Sequence, residues 1–352
     1  MRSAFALCVI AAACVNVLRP VLAQELEPDS VVRSIHQDTR GWYWFGTQSD
    51  GVYRSDGRDL TRFTEQDGLA NNQVRSILED PQGVVWFETA AGLSRYEDDS
   101  IRTYTARDYN SKDNWQLSRE DLWFKGDRST GVTMQEGSPG VYRFDVATLR
   151  YYAFPLEIAR EDQDAYSVTG IHRGDGGRVW IATYSAVIGF DGEEFVVIDD
   201  ESLGHTPETG CLHARCVFED SKGRLWIGNN GIGVIMRDGD TTINFTQAQG
   251  VGRSDERGGS GIGVPAQGDA PAGEPSLNRV FAIGEDRDGN IWFGTREQGA
   301  WRFDGTSLRQ FTARDGLQTK QVFAIHVDRN GDLLLGGQGV FRFDGTRFEK
   351  QF

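Results

Sequence analysis

The sequence predicts an all-β fold, a seven-bladed β-propeller of four-stranded antiparallel blades. One sequence unit recurs seven times between Val32 and Phe348, and each unit consists of strand-length apolar runs separated by Asp, Gly and Asn. The 43 Gly and only 9 Pro suit many short strands joined by tight turns. A single unit of this size cannot bury both of its faces, whereas units packed around an axis bury them against one another.

The first 23 residues differ from the rest of the chain and predict a secretory signal peptide. Arg2 precedes an apolar run that is too short for an ordinary transmembrane helix, and residues 21–23 are suited to precede a cleavage site. A lipid-modified Cys14 is an alternative. We therefore expect a periplasmic or secreted protein cleaved near Ala23, with an N-terminal segment at residues 24–31 before the propeller.

The charge balance argues against nucleic acid as a partner. The chain carries 52 acidic and 37 basic residues, a net charge of −15, and loss of the predicted signal peptide makes it −17. Such a surface repels a phosphate backbone, and no basic run interrupts it. An anionic ligand held in a local pocket lined by arginine is still compatible with this charge.

Each unit has the form V-x-x-I-x-x-D-x-x-G-x-x-W-[FI]-G-T, then G-[VL]-x-R-[FY]-D and a short apolar run. The tryptophan is expected to fill the gap between neighbouring blades. The anchor residues are Trp44, Trp86, Trp123, Trp180, Trp226 and Trp292, with Leu334 in the last copy. A turn glycine precedes the anchor by three residues in six copies, as Gly41, Gly83, Gly177, Gly223, Gly289 and Gly331. In the third copy, residues 115–121 are expected to compress the first strand and turn.

The predicted propeller covers residues 32–352, and its blades span about residues 32–73, 74–114, 115–167, 168–213, 214–279, 280–321 and 322–352. Each unit begins with its first strand and ends with its fourth. We therefore expect no strand to be shared between the first and last blades, so that the ring closes by packing alone. We expect a monomer.

Several phrases resemble the two-component regulator propeller repeat, namely residues 35–47, 67–74 and 283–295. The resemblance extends over essentially the whole chain after the predicted signal peptide. It implies a periplasmic sensor propeller of the kind found in hybrid histidine kinases, especially those that respond to polysaccharide fragments. The sequence given has no β-sandwich, membrane helix or kinase after the repeats, so we expect binding, a partner-dependent role or an unrecognised activity.

Loop lengths predict which face of the ring binds a ligand. Connections from second to third strand, and from fourth strand to the next blade, emerge on one side, here called the insertion face; the other turns form the scaffold face. All long insertions fall on the insertion face, at residues 125–140, 155–166, 199–212 and 246–278. Binding groups concentrate on variable loops held by a rigid frame, although residues 252–273 also fit a simple flexible insert.

Polar and aromatic residues of the insertion face are predicted to line a central funnel. Amides, an arginine and an aromatic ring suit a sugar, through hydrogen bonds to hydroxyls and contact with ring faces. For any single residue, an ordinary polar loop is the favoured interpretation, since loops are polar everywhere. The candidates are Gln48, Asp50, Asn72, Gln73, Tyr184, His213, Asn229, Asn230, Arg296, Gln298 and Gln338.

Cys211 and Cys216 are the two cysteines beyond the predicted signal peptide, and an oxidising compartment favours a disulfide between them. Free thiols are an alternative, as is a metal site that uses the neighbouring His213 and His205. The remaining histidines recur at one repeat position near the end of the first strand, which favours a structural role: His36, His172 and His326.

The sequence holds no nucleophile motif and no phosphate-binding loop after a strand, so we favour a protein that is not an enzyme and needs no cofactor. Runs that begin at Asp286 and Asp328 resemble the start of a calcium loop but favour hairpin turns. The leading hypothesis is an exported, sensor-like propeller that binds a carbohydrate fragment and acts in signalling or uptake. The alternatives are a protein-interaction scaffold in the envelope, and a polysaccharide lyase-like enzyme that uses His213, Tyr184 or an arginine.

Overall fold

A computed structural model describes residues 30–104, 108–110, 115–126, 138–206, 210–252 and 275–352. It contains seven four-stranded sheets, which confirms the predicted seven-bladed propeller. The predicted signal peptide and Cys14 lie outside the described residues. Within those residues, no helix is long and apolar enough to cross a membrane.

The strands follow one another from blade to blade. Blades 1 and 2 comprise β1 (Val32–Gln37), β2 (Tyr43–Thr47), β3 (Val52–Ser55), β4 (Leu60–Phe63), β5 (Val74–Glu79), β6 (Val85–Thr89), β7 (Gly92–Glu97) and β8 (Ser100–Tyr104). Blades 3 and 4 comprise β9 (Asp108–Asn110), β10 (Leu122–Gly126), β11 (Gly140–Phe144), β12 (Leu149–Ala153), β13 (Val168–Arg173), β14 (Val179–Thr183), β15 (Ala186–Phe190) and β16 (Phe195–Asp199). Blades 5 to 7 comprise β17 (Ala214–Glu219), β18 (Leu225–Asn229), β19 (Val234–Asp238), β20 (Thr241–Asn244), β21 (Val280–Glu285), β22 (Ile291–Thr295), β23 (Ala300–Phe303), β24 (Leu308–Phe311), β25 (Ala324–Val327), β26 (Leu333–Gly337), β27 (Gly339–Phe343) and β28 (Phe348–Lys350).

Short helical segments lie in the connections between blades. They are the α-helical turns α1 (Asp200–Leu203) and α2 (Phe245–Ala248), and 3₁₀ turns at Glu65–Asp67, Arg160–Tyr166 and Ala313–Asp315. The turn at Glu65–Asp67 shows why the chain bends there. Thr64 and Asp67 form a capping box, and Gly68 ends the turn in a left-handed conformation, φ 101°. The following Leu69 is buried in the core.

Blade 3 lacks the strand that lines the axis in the other blades. Its sheet order is β10-β11-β12-β9, so β10 is innermost, and β9 pairs in parallel with β12 at the outer edge. Residues 115–121, where a compressed first strand was predicted, contain no strand. The prediction also assigned β9 to blade 2, which is wrong. Trp115 instead packs on the anchor Trp123, with ring centroids 5.6 Å apart.

A buried carboxylate in the scaffold-face turn holds the anchor tryptophan in four of the blades, whereas Trp180 of blade 4, whose turn has Gly174 at this position, donates to Glu219 of the next blade. Asp220 Oδ2 accepts hydrogen bonds from Trp226 Nε1 at 2.8 Å and Arg224 Nε at 2.7 Å, while Oδ1 accepts from the Lys222 and Arg224 amides. One carboxylate thus satisfies both the turn and the indole. The equivalent indole bonds come from Trp44 to Asp38, Trp86 to Asp80 and Trp292 to Asp286. The calcium-like run at Asp286 therefore forms an ordinary turn of the repeat.

The ring closes without a shared strand, as predicted, because β25–β28 and β1–β4 form separate sheets. Polar contacts join the two blades. Tyr43 Oη donates to Asp328 Oδ2 at 2.5 Å, and the Arg329 amide donates to Gln37 Oε1 at 3.0 Å. Since Leu334 replaces the anchor indole in blade 7, Asp328 uses this oxygen to bind blade 1 instead.

The three recurring histidines are half-buried near the scaffold end of the first strands. The His172 ring packs on Phe218 at 4.6 Å, and its Nε2 lies 3.3 Å from the Glu219 carbonyl oxygen. The His36 and His326 rings lie 6.5 Å apart. Burial lowers the pKa of His172 and of His326 to about 4. These contacts favour the structural role predicted for the three side chains.

We expect the propeller to lose stability as the pH falls from about 6.5 to about 4. The unfolded chain binds protons at its histidines near pH 6.5, whereas folded His172 binds one only near pH 4, so acidification favours unfolding. Urea unfolding at several pH values between about 6.5 and about 4 should show a decrease in the free energy of unfolding. We expect His172→Gln to make this decrease smaller by about 2 kcal/mol. Gln82→Ala, which removes no titrating group, should keep the full loss. An unchanged pH dependence in His172→Gln would contradict this assignment.

Candidate functional site

The loops of the insertion face lie together, as the sequence predicted. In several blades a backbone amide in the loop between second and third strands donates to a carbonyl oxygen in a connection between blades. Such bonds lock the two kinds of loop into one surface. They run from Gly51 to Asn72 (2.9 Å), Ser185 to Ala165 (3.0 Å), Gly231 to Asn278 (2.7 Å) and Gly299 to Lys320 (2.9 Å).

A β-bulge in the first strand turns one side chain of a blade towards the axis. In β1 the pairing with β2 shifts between Val32 and Ser34, so Arg33 is the extra residue. The same shift occurs in β5, β13, β17 and β21. Bulges of this kind re-aim a side chain. The axis-facing residues are Arg33, Arg75, Thr169, Arg215 and Phe281, with Phe323 at the equivalent position of blade 7 and Lys125 of β10 in blade 3.

The residue after each bulge is small because neighbouring first strands come close together. A Cβ on Gly170 would lie 3.2 Å from the Arg215 carbonyl oxygen and 3.3 Å from the Cys216 Cα of the next blade. The close packing thus requires a small side chain at the residue after the bulge. It places no such limit on the size of the bulge residue itself. The small residues are Ser34, Ser76, Gly170, Cys216, Ala282 and Ala324.

The bulge residues line an axial cavity of about 370 Å³, together with Gln73 and Tyr184 of the insertion face. Different blades contribute different kinds of side chain to its wall. Blades 1 to 3 and blade 5 supply four cations, whereas blades 6 and 7 supply phenyl rings. None of the described residues that line this cavity is a carboxylate.

Aromatic rings hold two of the guanidinium groups. The Arg33 guanidinium lies 4.9 Å from the centre of the Phe323 ring. That of Arg215 lies 5.1 Å from both the Tyr184 and the Phe281 ring centres. Cations over ring faces are attracted by the ring quadrupole, so these contacts orient the arginines without neutralising them.

A second cavity of about 440 Å³ adjoins the first, where blade 3 lacks its first strand. It shares Arg75 and Lys125 with the axial cavity and is also lined by Glu88. Glu88 occupies a position that is glycine in blades 1, 5, 6 and 7 and alanine in blade 4. The missing strand makes room for it, and its Oε2 lies 3.5 Å from the Lys125 amide nitrogen.

Of the predicted ligand residues, Tyr184 and Gln73 line the axial cavity. Most of the others hold the loops in place. Asp50 accepts a hydrogen bond from Ser30 Oγ at 2.6 Å, and Asn72 Oδ1 accepts one from the Glu65 amide at 3.0 Å. Gln298 accepts one at its carbonyl oxygen from Gln310 Nε2 at 2.8 Å. These side chains shape the face but do not reach the cavity wall.

His213, Asn229 and Asn230 form a buried layer behind Tyr184. The His213 amide donates to Asn229 Oδ1 at 3.1 Å, and the His213 ring lies 4.7 Å from the Tyr184 ring. The Asn230 amide donates to the His213 carbonyl oxygen at 3.0 Å. This layer positions Tyr184. The remaining candidates are exposed on the insertion face: Gln48, Arg296 and Gln338.

The disulfide predicted between Cys211 and Cys216 is not present among the described residues. Cys216 follows the bulge of β17, and its thiol lies against the next blade, with Sγ 4.0 Å from the Val280 carbonyl oxygen. Burial raises the pKa of this thiol to about 12. Within the described residues, no group of three or more His, Cys, Asp or Glu side chains is placed to hold a metal.

Sequence reasoning missed the axis-facing arginines. The available signal was the repeat position that lies between an apolar residue and a small one at the start of the first strand. It is Arg33, Arg75, Thr169, Arg215 and Phe281 in five blades and Phe323, just before β25, in blade 7. In a regular strand, successive side chains point to opposite faces of the sheet. The side chain at this position points to the axis only because of the bulge.

Comparison with known proteins gives a family match and a set of similar folds. The family model described as two component regulator propeller matches residues 26–49, 68–87, 211–231 and 274–297. No curated protein sequence matches this chain. Among solved structures, the chain is similar to the extracellular domain assigned to the hybrid two component system BT3049 from B. thetaiotaomicron, with 18% identity and a TM-score of 0.61. The extracellular domain of BT4673 from the same organism has 18% identity and a TM-score of 0.60.

The extents of these similarities differ. The chain aligns over 90% and 89% of its own length with the two extracellular domains but spans only 39% and 38% of theirs. A streptogramin B lyase structure aligns over 92% of this chain and 93% of its own, with 13% identity and a TM-score of 0.57. At these identities the likeness shows a shared propeller fold.

Proposed function

Because its blades carry the two component regulator propeller repeat, we propose that this chain is a sensor-like propeller that binds a carbohydrate fragment in its axial cavity. The observation that carries the proposal is the convergence of bulge side chains from separate blades on one cavity. A bulge weakens strand pairing, so its recurrence with polar and aromatic side chains points to a use for the cavity.

The cavity offers the two kinds of contact that a sugar needs. Its volume of about 370 Å³ lies within the usual size of small-molecule sites. Tyr184, Phe281 and Phe323 present ring faces for the apolar side of a pyranose. Gln73 supplies an amide group for its hydroxyls. Thr169 supplies an acceptor oxygen, since its O–H donates to backbone carbonyl oxygens.

We further propose that the protein works outside the cytoplasm. The predicted signal peptide supports this location, and so do the extracellular domains that share the fold. The chain spans about two fifths of those domains, and we propose that it acts in signalling or uptake.

The first experiment is a calorimetric titration with oligosaccharides of two to four residues, both neutral and acidic. We expect at least one to bind with one-to-one stoichiometry, and Tyr184→Ala to weaken it about tenfold because a ring contact is lost. Gln82→Ala on the scaffold face is the matched control and should bind normally. Thermal unfolding would establish that each variant is folded.

Two outcomes would overturn the proposal. Failure of every oligosaccharide to bind the folded protein would favour the interaction scaffold instead. Binding that Tyr184→Ala and Phe281→Ala leave unchanged would place the ligand elsewhere than in the axial cavity.

A further inference from the structure

The axial cavity departs sharply from the charge of the whole chain. The protein carries a net charge of −15, yet four cationic side chains and no carboxylate line the described wall of this cavity. Arg33, Arg75 and Arg215 occupy the same repeat position in three blades. Their side chains therefore converge from three sides on one space.

The contacts of Arg33 and Arg215 orient these arginines but leave their charge available. Arg33 Nη1 donates to the neutral amide of Gln48 at 3.4 Å and lies over Phe323. Arg215 lies between the Tyr184 and Phe281 rings, and its buried Nε has no hydrogen-bond acceptor among the described residues. A buried donor without an acceptor is costly, so the unsatisfied Nε indicates a missing acceptor.

The arginines also repel one another. Burial, and then the charges of Arg75 and Arg215, lower the pKa of Arg33. Burial is the largest influence that lowers the pKa of Arg215, and Arg296 lowers it further. Like charges held together away from water destabilise a fold unless a bound anion compensates them.

We propose that the ligand of the axial cavity carries an acidic group, a carboxylate or a sulfate ester, bound mainly by Arg33 and Arg215. This inference rests on the proposed function, because it defines the class of sugar that the cavity selects. A guanidinium matches the planar carboxylate, or two oxygens of a sulfate, with paired hydrogen bonds. Tyr184, Phe281 and Phe323, which hold the guanidinium groups, are only partly buried and so offer ring surface to the sugar.

The acidic exterior adds a restriction on ligand length. A long polyanion would extend from the cavity across a surface of the same charge and would be repelled. A fragment of one or two acidic residues places its charge inside the cavity. We therefore expect short acidic fragments to bind better than the polymers from which they come.

The test uses calorimetry to compare the binding of three matched disaccharides, namely galactobiose, digalacturonate and galactobiose with a 6-O-sulfate ester. If another disaccharide binds, its neutral, carboxylated and sulfated forms are compared in the same way. We expect an acidic form to bind at least about tenfold more tightly than its neutral form, and salt to weaken it. The affinities of the carboxylated and the sulfated disaccharide show which of the two anions the arginines bind more tightly.

Variants then test the assigned residues. Arg33→Gln and Arg215→Gln should each weaken the acidic ligand about tenfold and bring its affinity close to that of the neutral form. Arg309→Gln, an exposed arginine on β24, has the same change of charge and should have no effect. Removing one member of a repelling cluster should also leave the thermal midpoint unchanged or raised, which checks that the variants are folded.

The outcomes separate this inference from the proposed function. Equal affinity for neutral and acidic forms, or acidic selectivity that survives both arginine variants, would overturn the inference and leave sugar binding intact. Failure of every form to bind would overturn both.

Discussion

Replacement of Trp226 by alanine is expected to destabilise the propeller by about 3 to 5 kcal/mol. Trp226 is fully buried, and its ring meets Phe245 and Phe293 with centroids 5.2 and 5.6 Å away. Truncation leaves a cavity between blades 5 and 6. It also removes the indole N–H from the buried Asp220 carboxylate, which adds to the loss.

Urea unfolding of Trp226→Ala and Trp226→Phe would separate the two contributions. The phenylalanine variant keeps most of the ring but no N–H, so we expect a smaller loss of about 1 to 3 kcal/mol. A loss of less than about 1 kcal/mol in Trp226→Ala would contradict the role of the anchor as the filler between blades.

Introduction of glutamate at Gly294 is expected to cost more than about 3 kcal/mol, although blade 2 carries glutamate at the same repeat position. A Cβ on Gly294 would lie 2.6 Å from the Val322 carbonyl oxygen and 2.8 Å from its Cγ1. The first strand of blade 7 therefore has to move, and a charge is buried. Glu88 is buried as well, but it avoids the steric cost because the strand opposite it is missing.

The matched control is Gln82→Glu, which adds the same charge to an exposed scaffold-face turn and should change stability little. Chemical denaturation of the two variants side by side is the measurement. Comparable stability of Gly294→Glu and the unsubstituted protein would show that the ring tolerates bulk between its first strands, and the explanation for Glu88 would fail.

The repeat made most of the fold predictable. The spacing D-x-x-G-x-x-W places an aspartate, a turn glycine and an indole in one hydrogen-bonded unit in four copies, and the copies of blades 4 and 7 keep the spacing with Gly174 for the aspartate and Leu334 for the indole. Blade 3 departs further. Its residues 115–121 still include a tryptophan, but Trp115 joins the core with its Nε1 donating to the Ala153 carbonyl oxygen, and no strand forms. Periodicity cannot distinguish these two uses of an aromatic residue.

The site was less predictable than the face that contains it. Loop lengths predicted the insertion face, and the described parts of its loops contact one another, whereas most of the insertions at residues 125–140 and 246–278 lie outside the described residues. The polar loop residues were selected by residue type alone, and Asn229 is a buried support for His213. The arginines were hidden within strands, where alternation assigns a side chain to one face or the other. A bulge breaks that alternation, and its position depends on pairing with the second strand.

The departure of blade 3 also affects how a ligand can be oriented. A ring of seven identical blades would present a small molecule with seven equivalent poses, and none would be preferred. Here the sector of blade 3 lacks its inner strand, the sectors of blades 1 to 3 and 5 carry cations, and the sectors of blades 6 and 7 carry phenyl rings. The wall is therefore not symmetric about the axis, and the proposed ligand would bind in one orientation. The loops at the rim of the cavity would then contact a defined side of that ligand.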